Sequence, residues 1–193
     1  MLGIHVDVYP DKDIYINKER QRWASYFSVP MIDHMPDGFP PMTLATQRAL
    51  CAVSQLFPDK LAQTLEALFN VFWVEGNINI GKSETFDPVL ERVLGKDGRD
   101  QVTVAVWTIL ANPSLPHGYC VLTIIQALQP QIKGLLASNT ERAFKSGAFG
   151  LPWFECTNSK GETEGFWGIG HLGQVADFLG LDRTADKGFR ASL

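Results

Sequence analysis

The sequence has few cysteines, and their spacing excludes two common kinds of site. There are three in 193 residues, Cys51, Cys120 and Cys156. They are odd in number, lie far apart and form no C-x-x-C pair, so neither a dithiol redox centre nor a zinc site of the usual spacing is indicated. We therefore interpret each cysteine as a small apolar residue of the interior. The histidines also show no spacing typical of metal ligands.

An excess of basic residues is also lacking. Seventeen Lys and Arg stand against 21 Asp and Glu, a formal net charge of −4, which argues against nucleic acid or an anionic membrane as the partner. The N-terminus has neither a basic region nor a long apolar run, so secretion is not predicted. A reducing, cytoplasmic compartment is the default. Mitochondria or peroxisomes are alternatives, although the C-terminal tripeptide 191–193 lacks the basic middle residue of a peroxisomal signal.

Charge is missing altogether from one long stretch. Residues 101–132 contain no Asp, Glu, Lys or Arg. The stretch holds two apolar runs, 102–111 and 119–128, each about half the ~20 residues that a membrane-spanning helix needs. We therefore predict no membrane span, and we interpret residues 101–131 as an atypical insertion that is loosely packed or lies as a helix on the surface. A buried helical hairpin is the alternative.

The rest of the chain reads as helices followed by a strand, a turn, a strand and a helix. Residues 1–16 are predicted to be an extended, turn-rich lead-in, because Ile4, Val6 and Val8 alternate and the segment PDKD at 10–13 then breaks the run. Five prolines and glycines between residues 28 and 42 predict a loop. The predicted helices are 18–27, 44–56, one from Pro58 through Trp73, 83–94 ended by Gly95, 138–146 stopped by Gly147, and about 169–179. The predicted strands are 153–157 and 164–167, joined by a turn at 158–161.

The most distinctive motifs lie in this C-terminal part. They are GAFGLPWF at 147–154, FWG at 166–168 and HLGQVADFLGL at 171–181. This pattern resembles the C-terminal part of the kappa-class glutathione transferases and their DsbA-like relatives, which include 2-hydroxychromene-2-carboxylate isomerase. Earlier pieces, INKERQRW at 16–23, MPDGFPP at 35–41 and FWV at 72–74, resemble fungal-type members most closely. The resemblance covers roughly residues 14–100 and 132–182.

The resemblance implies an α-rich α/β fold, in which a helical domain is inserted into a thioredoxin-like fold. Residues 1–16 would be a remnant lead-in strand or loop, 17–148 the helical domain with the 101–131 insertion, and 149–193 the C-terminal ββα half. Most of the N-terminal βαβ unit of the family has no counterpart, so the resemblance also implies an N-terminally truncated chain. A cis peptide bond is expected at Leu151-Pro152, as in thioredoxin-like corners.

The resemblance also implies which residues contact glutathione. In the family, the backbone before the proline pairs with the cysteinyl part of glutathione, which points here to Leu151 and Pro152. A Gly-Ser-Asp turn holds the γ-glutamyl end, and Gly168, Ile169 and Gly170 stand at that turn in this chain. The serine and aspartate are thus replaced by residues without hydrogen-bonding side chains. The segment of the family's catalytic serine has no match, so the catalytic residue is left unassigned.

The same turn also fits the dinucleotide pattern G-x-G-x-x-G, from Gly168 to Gly173. That motif acts within a complete βαβ unit, with a second parallel strand and an acidic residue for the ribose. Only twenty residues follow Gly173, and they contain neither. A strand-to-helix turn is therefore the better interpretation.

Two functions from different classes remain open. One is a glutathione-dependent transferase or isomerase of the kappa, DsbA-like type, catalysing thioether conjugation or chemistry like that of a disulfide oxidoreductase. Its partners would be glutathione and a small electrophilic or aromatic substrate, with a homodimer as a candidate assembly. The other is a non-catalytic remnant, truncated or mis-spliced, that keeps the scaffold.

Overall fold

The fold comes from a computed structural model, which describes residues 10–106 and 129–182. The chain divides into two compact units, Met1–Lys133 and Gly134–Leu193, and the division lies within a helix. The domain boundary after residue 148 stays a prediction. The helices are α1 (Pro10–Tyr26), α2 (Leu44–Leu56), α3 (Leu61–Phe69), α4 (Ser83–Val106), α5 (Gln129–Lys145) and α6 (Leu172–Leu179). The strands are β1 (Trp153–Thr157) and β2 (Thr163–Trp167). Single turns of tighter or wider helix lie at Pro58–Lys60, Asn70–Val74, Ile78–Gly81 and Ile169–His171. This helix-rich content with a small sheet is consistent with the predicted α/β class.

Helix α1 begins earlier than predicted. The sequence predicted an extended lead-in up to residue 16, and this is wrong for residues 10–16, which are helical. Pro10 occupies the first helical position, where its missing N–H leaves no bond unmade. Asp11 and Asp13 follow in the first turn, where the helix dipole favours negative charge. The proline and aspartates that were interpreted as a break are therefore the start signals of a helix, whereas the alternating residues 4–8 lie outside the described residues.

The end of α1 is closed by a Schellman motif. Ser28 has a left-handed φ of 55°. The N–H of Ser28 donates to the carbonyl of Ser25 at 3.1 Å, and the N–H of Val29 donates to that of Ala24 at 2.8 Å. This is the pair of bonds that satisfies the last carbonyls of a helix. The chain then enters the loop that the prolines predicted, which is confirmed between residues 27 and 43.

Arg20 fastens that loop to α1. Its guanidinium donates to the carbonyls of Ile32 and His34, each at 3.0 Å, and its carbon lies 5.2 Å from the centre of the Trp73 ring. Gln21 donates to the Ile32 carbonyl as well, at 2.6 Å. Burial lowers the pKa of Arg20, with the charge of Asp33 acting in the opposite direction. The loop is thus held by side chains that cap its backbone carbonyls.

The core of the first unit lies between α2, α3 and α4. Among the largest fully buried side chains are Val53, Thr64, Phe86, Leu90 and Val102. The sequence pattern of α2 predicts that Leu44, Ala45, Ala49 and Val53 face inward. Burial of Ala49 and Val53 confirms this in part, whereas Leu44 is 51% exposed, so the prediction is wrong for Leu44.

Helix α4 is divided by a break at Gly95, where φ is 76° and ψ is 169°. The predicted end of the helix at this glycine is confirmed, but helical structure resumes over residues 96–106. Val102, Val104, Ala105 and Val106 are buried. The expectation of a loose or surface segment is therefore wrong for 102–106, because these apolar side chains enter the core. The rest of the predicted insertion, 107–128, lies outside the described residues.

The second unit contains a hairpin covered on one face by a helix. α5 begins before the predicted Ser138, and its predicted stop is confirmed: Gly147 has a φ of 90° and donates to the carbonyl of Phe144 at 3.0 Å. β1 and β2 pair antiparallel, from Trp153 opposite Trp167 to Thr157 opposite Thr163. α6 packs on this hairpin, with the Phe166 and Phe178 rings 5.7 Å apart. Within residues 10–106 and 129–182, no helix has the length and apolar character to cross a bilayer.

Candidate functional site

The five predicted glutathione-binding residues meet at one end of the hairpin. Leu151 and Pro152 directly precede β1, whereas Gly168, Ile169 and Gly170 directly follow β2. The N–H of Gly168 donates to the carbonyl of Pro152 at 3.0 Å, which joins the two segments. We call this arrangement, residues 151–152 with 168–170, the corner. Its role in binding stays a prediction.

The peptide bond Leu151-Pro152 is cis, as the sequence predicted. The side chain of Leu151 is 85% exposed, so this segment lies at the surface of its unit. A second cis bond, Phe39-Pro40, occurs in the loop after α1 and was not predicted.

Backbone geometry at the corner depends on Gly168. Its φ of 86° lies in the left-handed region, which favours glycine. The carbonyl of Gly168 accepts from the N–H of His171 at 3.2 Å and so starts the turn at 169–171. No side chain caps this turn or α6. The first N–H groups of a helix lack partners within the helix, and together with the dipole they favour an anionic group.

The free edge of β1 continues from the corner. Hydrogen bonds from Gly168 to Pro152 and from Asn158 to Glu162 bracket the ladder. Bonded and non-bonded pairs alternate in an antiparallel sheet, so the N–H and C=O groups of Trp153, Glu155 and Thr157 point away from β2. In the described part of the chain the sheet has two strands. The edge of β1 is thus a row of backbone groups that an extended peptide could use.

Aromatic rings surround the corner, and the sequence reasoning missed them as part of a site. The Phe149 ring lies 5.0 Å from that of Trp167 and 5.9 Å from that of Trp153. Trp153 lies against Gly165 on the neighbouring strand, and Gly150 lies against the Trp167 indole. The signal in the sequence was the placement of aromatic residues beside glycines, which allows a ring to rest on bare backbone.

Perturbed titratable groups lie away from the corner, in the first unit. Burial raises the pKa of the Cys51 thiol, which agrees with its interpretation as an interior residue. The Asp33 carboxyl accepts a hydrogen bond from His34, and this bond lowers its pKa. None of the five corner residues titrates. Among the residues that the structure describes, no cluster of His, Cys, Asp or Glu is arranged to hold a metal ion.

A separate cavity in the first unit has a volume of about 560 Å³ and is lined by residues of α4 on both sides of its break at Gly95. Its lining includes Asp87, Glu91, Arg92 and Arg99. Arg99 pairs with Glu91 at 3.4 Å. Burial raises the pKa of Asp87 although the charge of Arg99 acts to lower it, and one Asp87 oxygen is shielded without a hydrogen-bond partner. No residue of the predicted site lies here.

Comparisons with known proteins concern the chain as a whole. No protein-family model matches the chain. The chain is similar to glutathione S-transferase kappa 2 of Caenorhabditis elegans, with 28% identity over 177 residues, 88% of this chain and 67% of that protein. This similarity supports the predicted resemblance to kappa-class glutathione transferases. The fungal type and the N-terminal truncation stay predictions.

Proposed function

We propose that this chain is a glutathione-dependent protein of the kappa, DsbA-like type, which binds glutathione at the corner. The observation that carries the proposal is the hydrogen bond from Gly168 to Pro152. It joins the two segments to which the resemblance assigns glutathione, in a chain similar to a kappa-class transferase. In this proposal residues 149–193 are the C-terminal half of a thioredoxin-like fold.

The cysteinyl part of glutathione would bind by its backbone. Leu151 continues the alternation of outward-facing groups along β1, and its own N–H and C=O would pair with the peptide groups of the ligand as an added strand pairs with a sheet edge. This recognition needs no particular side chain at residue 151. It is compatible with an exposed leucine at that position.

The γ-glutamyl end would bind more weakly than in a protein with polar residues in the turn. Ile169 offers no hydrogen bond, and Gly170 cannot pair with the ligand's ammonium group. The free N–H groups of the turn remain for the carboxylate. Loss of one charge-assisted hydrogen bond costs about 1.5–3 kcal/mol, or roughly tenfold to a hundredfold in affinity.

Turnover requires more than binding. In conjugation, the thiol loses its proton, a sulfur–carbon bond forms, and the leaving group departs with its electron pair; a donor near the sulfur stabilises the thiolate. The corner residues carry no such side chain. We therefore expect glutathione binding with little or no conjugation of 1-chloro-2,4-dinitrobenzene. Turnover well above background that is lost in Pro152→Ala would contradict this expectation and indicate a catalytic residue elsewhere.

The binding proposal is tested by calorimetry of the full chain with reduced glutathione. The double variant Ile169→Ser with Gly170→Asp restores the polar pair of the family and should bind about tenfold to a hundredfold more tightly. Ser159→Asp, an exposed position in the turn between β1 and β2, is the matched control because it adds the same charge at the end of the hairpin opposite the corner. If neither the wild type nor the double variant binds glutathione, the alternative of a non-catalytic remnant is the better description.

A further inference from the structure

Two aromatic rings lie exposed beside the corner. The side chain of Phe149 is 74% exposed and that of Trp167 is 48% exposed, and the ring centres are 5.0 Å apart with a tilt of 50°. Large apolar side chains are usually buried, so a contiguous exposed pair indicates a surface that contacts something. The pair belongs wholly to the second unit.

The pair is continuous with the corner through the backbone. Phe149 precedes Leu151 by two residues, and Trp167 directly precedes Gly168, whose N–H is bonded to Pro152. A ligand held along Leu151 would therefore bind next to the two backbone segments that carry these rings. This continuity favours a small ligand of the corner, rather than an unrelated protein, as the occupant of the aromatic surface.

The rings are also held in place. A Cβ added at Gly150 would lie 2.6 Å from the Trp167 indole nitrogen. The backbone of Gly150, which directly follows Phe149, therefore packs against the Trp167 ring. Phe149 makes a second ring contact with Trp153, with the ring centres 5.9 Å apart and an angle of 66° between the ring planes. These contacts restrict both side chains before a ligand binds. Binding of a planar group therefore costs little side-chain entropy, which favours affinity.

We propose that Phe149 and Trp167 form an aromatic platform that stacks on a planar, uncharged group carried by, or bound beside, the ligand of the corner. They are specificity-determining residues that select a planar second substrate over an aliphatic one of equal size. No charged side chain belongs to the platform or the corner, so the group should be neutral. That the ligand of the corner is glutathione rests on the proposed function. The existence of the platform does not rest on it.

The first experiment compares two ligands that differ in planarity. S-Benzylglutathione and S-(cyclohexylmethyl)glutathione carry the same number of carbon atoms, and calorimetry of the full chain should show the benzyl compound binding about three- to tenfold more tightly. In Phe149→Leu and Trp167→Leu this ratio should fall to about one, while S-methylglutathione binds as before. Phe144→Leu removes an exposed ring from α5 and should keep the wild-type ratio. An equal affinity of both ligands for the wild type would overturn the proposal.

A second experiment works without glutathione and keeps the two proposals separable. Benzyl alcohol and cyclohexylmethanol are titrated while the indole N–H signal of Trp167, identified by its loss in Trp167→Leu, is followed by NMR. A shift with benzyl alcohol alone supports the platform even if no glutathione derivative binds, in which case only the proposed function fails. No shift beyond that of Trp73, which lies in the other unit, would overturn the platform. Circular dichroism of each variant confirms that it is folded.

Discussion

A methyl group at Gly165 should disturb both the hairpin and the platform. Gly165 lies on β2 opposite Glu155, and the Trp153 ring lies across it. In Gly165→Ala the new Cβ would overlap the ring, at 2.8 Å from Cη2 and 3.1 Å from Cε2. Ordinary carbon–carbon contacts are about 3.5–4.0 Å, so the ring must move by roughly 1 Å or tilt.

The expected cost follows from two opposing effects. Overpacking of this kind costs about 1–3 kcal/mol. Replacing glycine in a strand recovers about 0.5–1 kcal/mol, because the unfolded chain has less freedom to lose. Because the added Cβ overlaps several atoms of a large, rigid ring, the overpacking cost should be about 2–3 kcal/mol. The free energy of unfolding of this unit should therefore fall by about 1–2 kcal/mol. Movement of Trp153 also displaces the Phe149 ring that rests against it.

Gly134→Ala is the matched control. Gly134 lies inside α5 in the same unit, and an added Cβ would meet nothing within 4 Å. The same substitution should stabilise the unit here by up to about 1 kcal/mol, because alanine is the better helix former. The pair thus separates the effect of the Trp153 contact from that of the chemical change itself.

Hydrogen exchange followed by mass spectrometry measures the change in stability within the second unit, which contains both glycines. Peptides covering residues 150–170 should exchange about five- to thirtyfold faster in Gly165→Ala than in the wild type. The same peptides should exchange no faster in Gly134→Ala. Unchanged or slower exchange in Gly165→Ala, with the control behaving as expected, would refute the packing of Trp153 on this glycine.

Three further substitutions test the first unit. Ser28→Gly should stabilise it by about 0.5–1 kcal/mol in urea denaturation, because glycine adopts the left-handed conformation without penalty; a loss of stability would contradict the Schellman end of α1. Gly81→Ala should destabilise it by about 3 kcal/mol or more, since the Cβ would overlap the Met42 carbonyl oxygen; a near-neutral midpoint would contradict that close approach. Burial raises the pKa of Asp87, so the folded state binds more protons than the unfolded one and stability falls as the pH rises from the unfolded value near 3.9 through the folded pKa. Asp87→Asn should therefore flatten the decline between pH 3 and 7 in thermal melts, and an equally steep decline would rule out Asp87 as its source.

Sequence reasoning succeeded where a local signal decides the structure. Gly95 and Gly147 were predicted as helix ends, and both have left-handed φ values. The turn at 158–161 and the cis bond at Leu151-Pro152 were also predicted from a local signal. At these positions the conformation depends on a few adjacent residues, and glycine or proline restricts it whatever packs nearby.

It failed where packing or competing signals decide. Pro10-Asp-Lys-Asp was interpreted as a break within an extended lead-in up to residue 16, but the same proline and aspartates are the start of helix α1. Absence of charge suggested a surface insertion, yet Val102 and Ala105 are fully buried. A segment without charged residues has no face that requires water. Its composition is therefore compatible both with burial in a core and with an atypical insertion, and only the tertiary structure distinguishes the two.

In the proposed function, the geometry of the corner does not depend on which side chains contact the ligand. The bond from Gly168 to Pro152 joins backbone groups, so it forms with any side chains at 169 and 170 that the turn accepts. Replacing a serine and an aspartate by Ile169 and Gly170 would therefore remove side-chain contacts with the γ-glutamyl end and leave the backbone of the corner unchanged. In this proposal affinity for the γ-glutamyl end can therefore be lost while the strand-like pairing at Leu151 and the adjacent aromatic rings persist. Ligand preference would then be determined by Phe149 and Trp167 rather than by the turn. The ratio of the affinities for S-benzylglutathione and S-(cyclohexylmethyl)glutathione measures that preference.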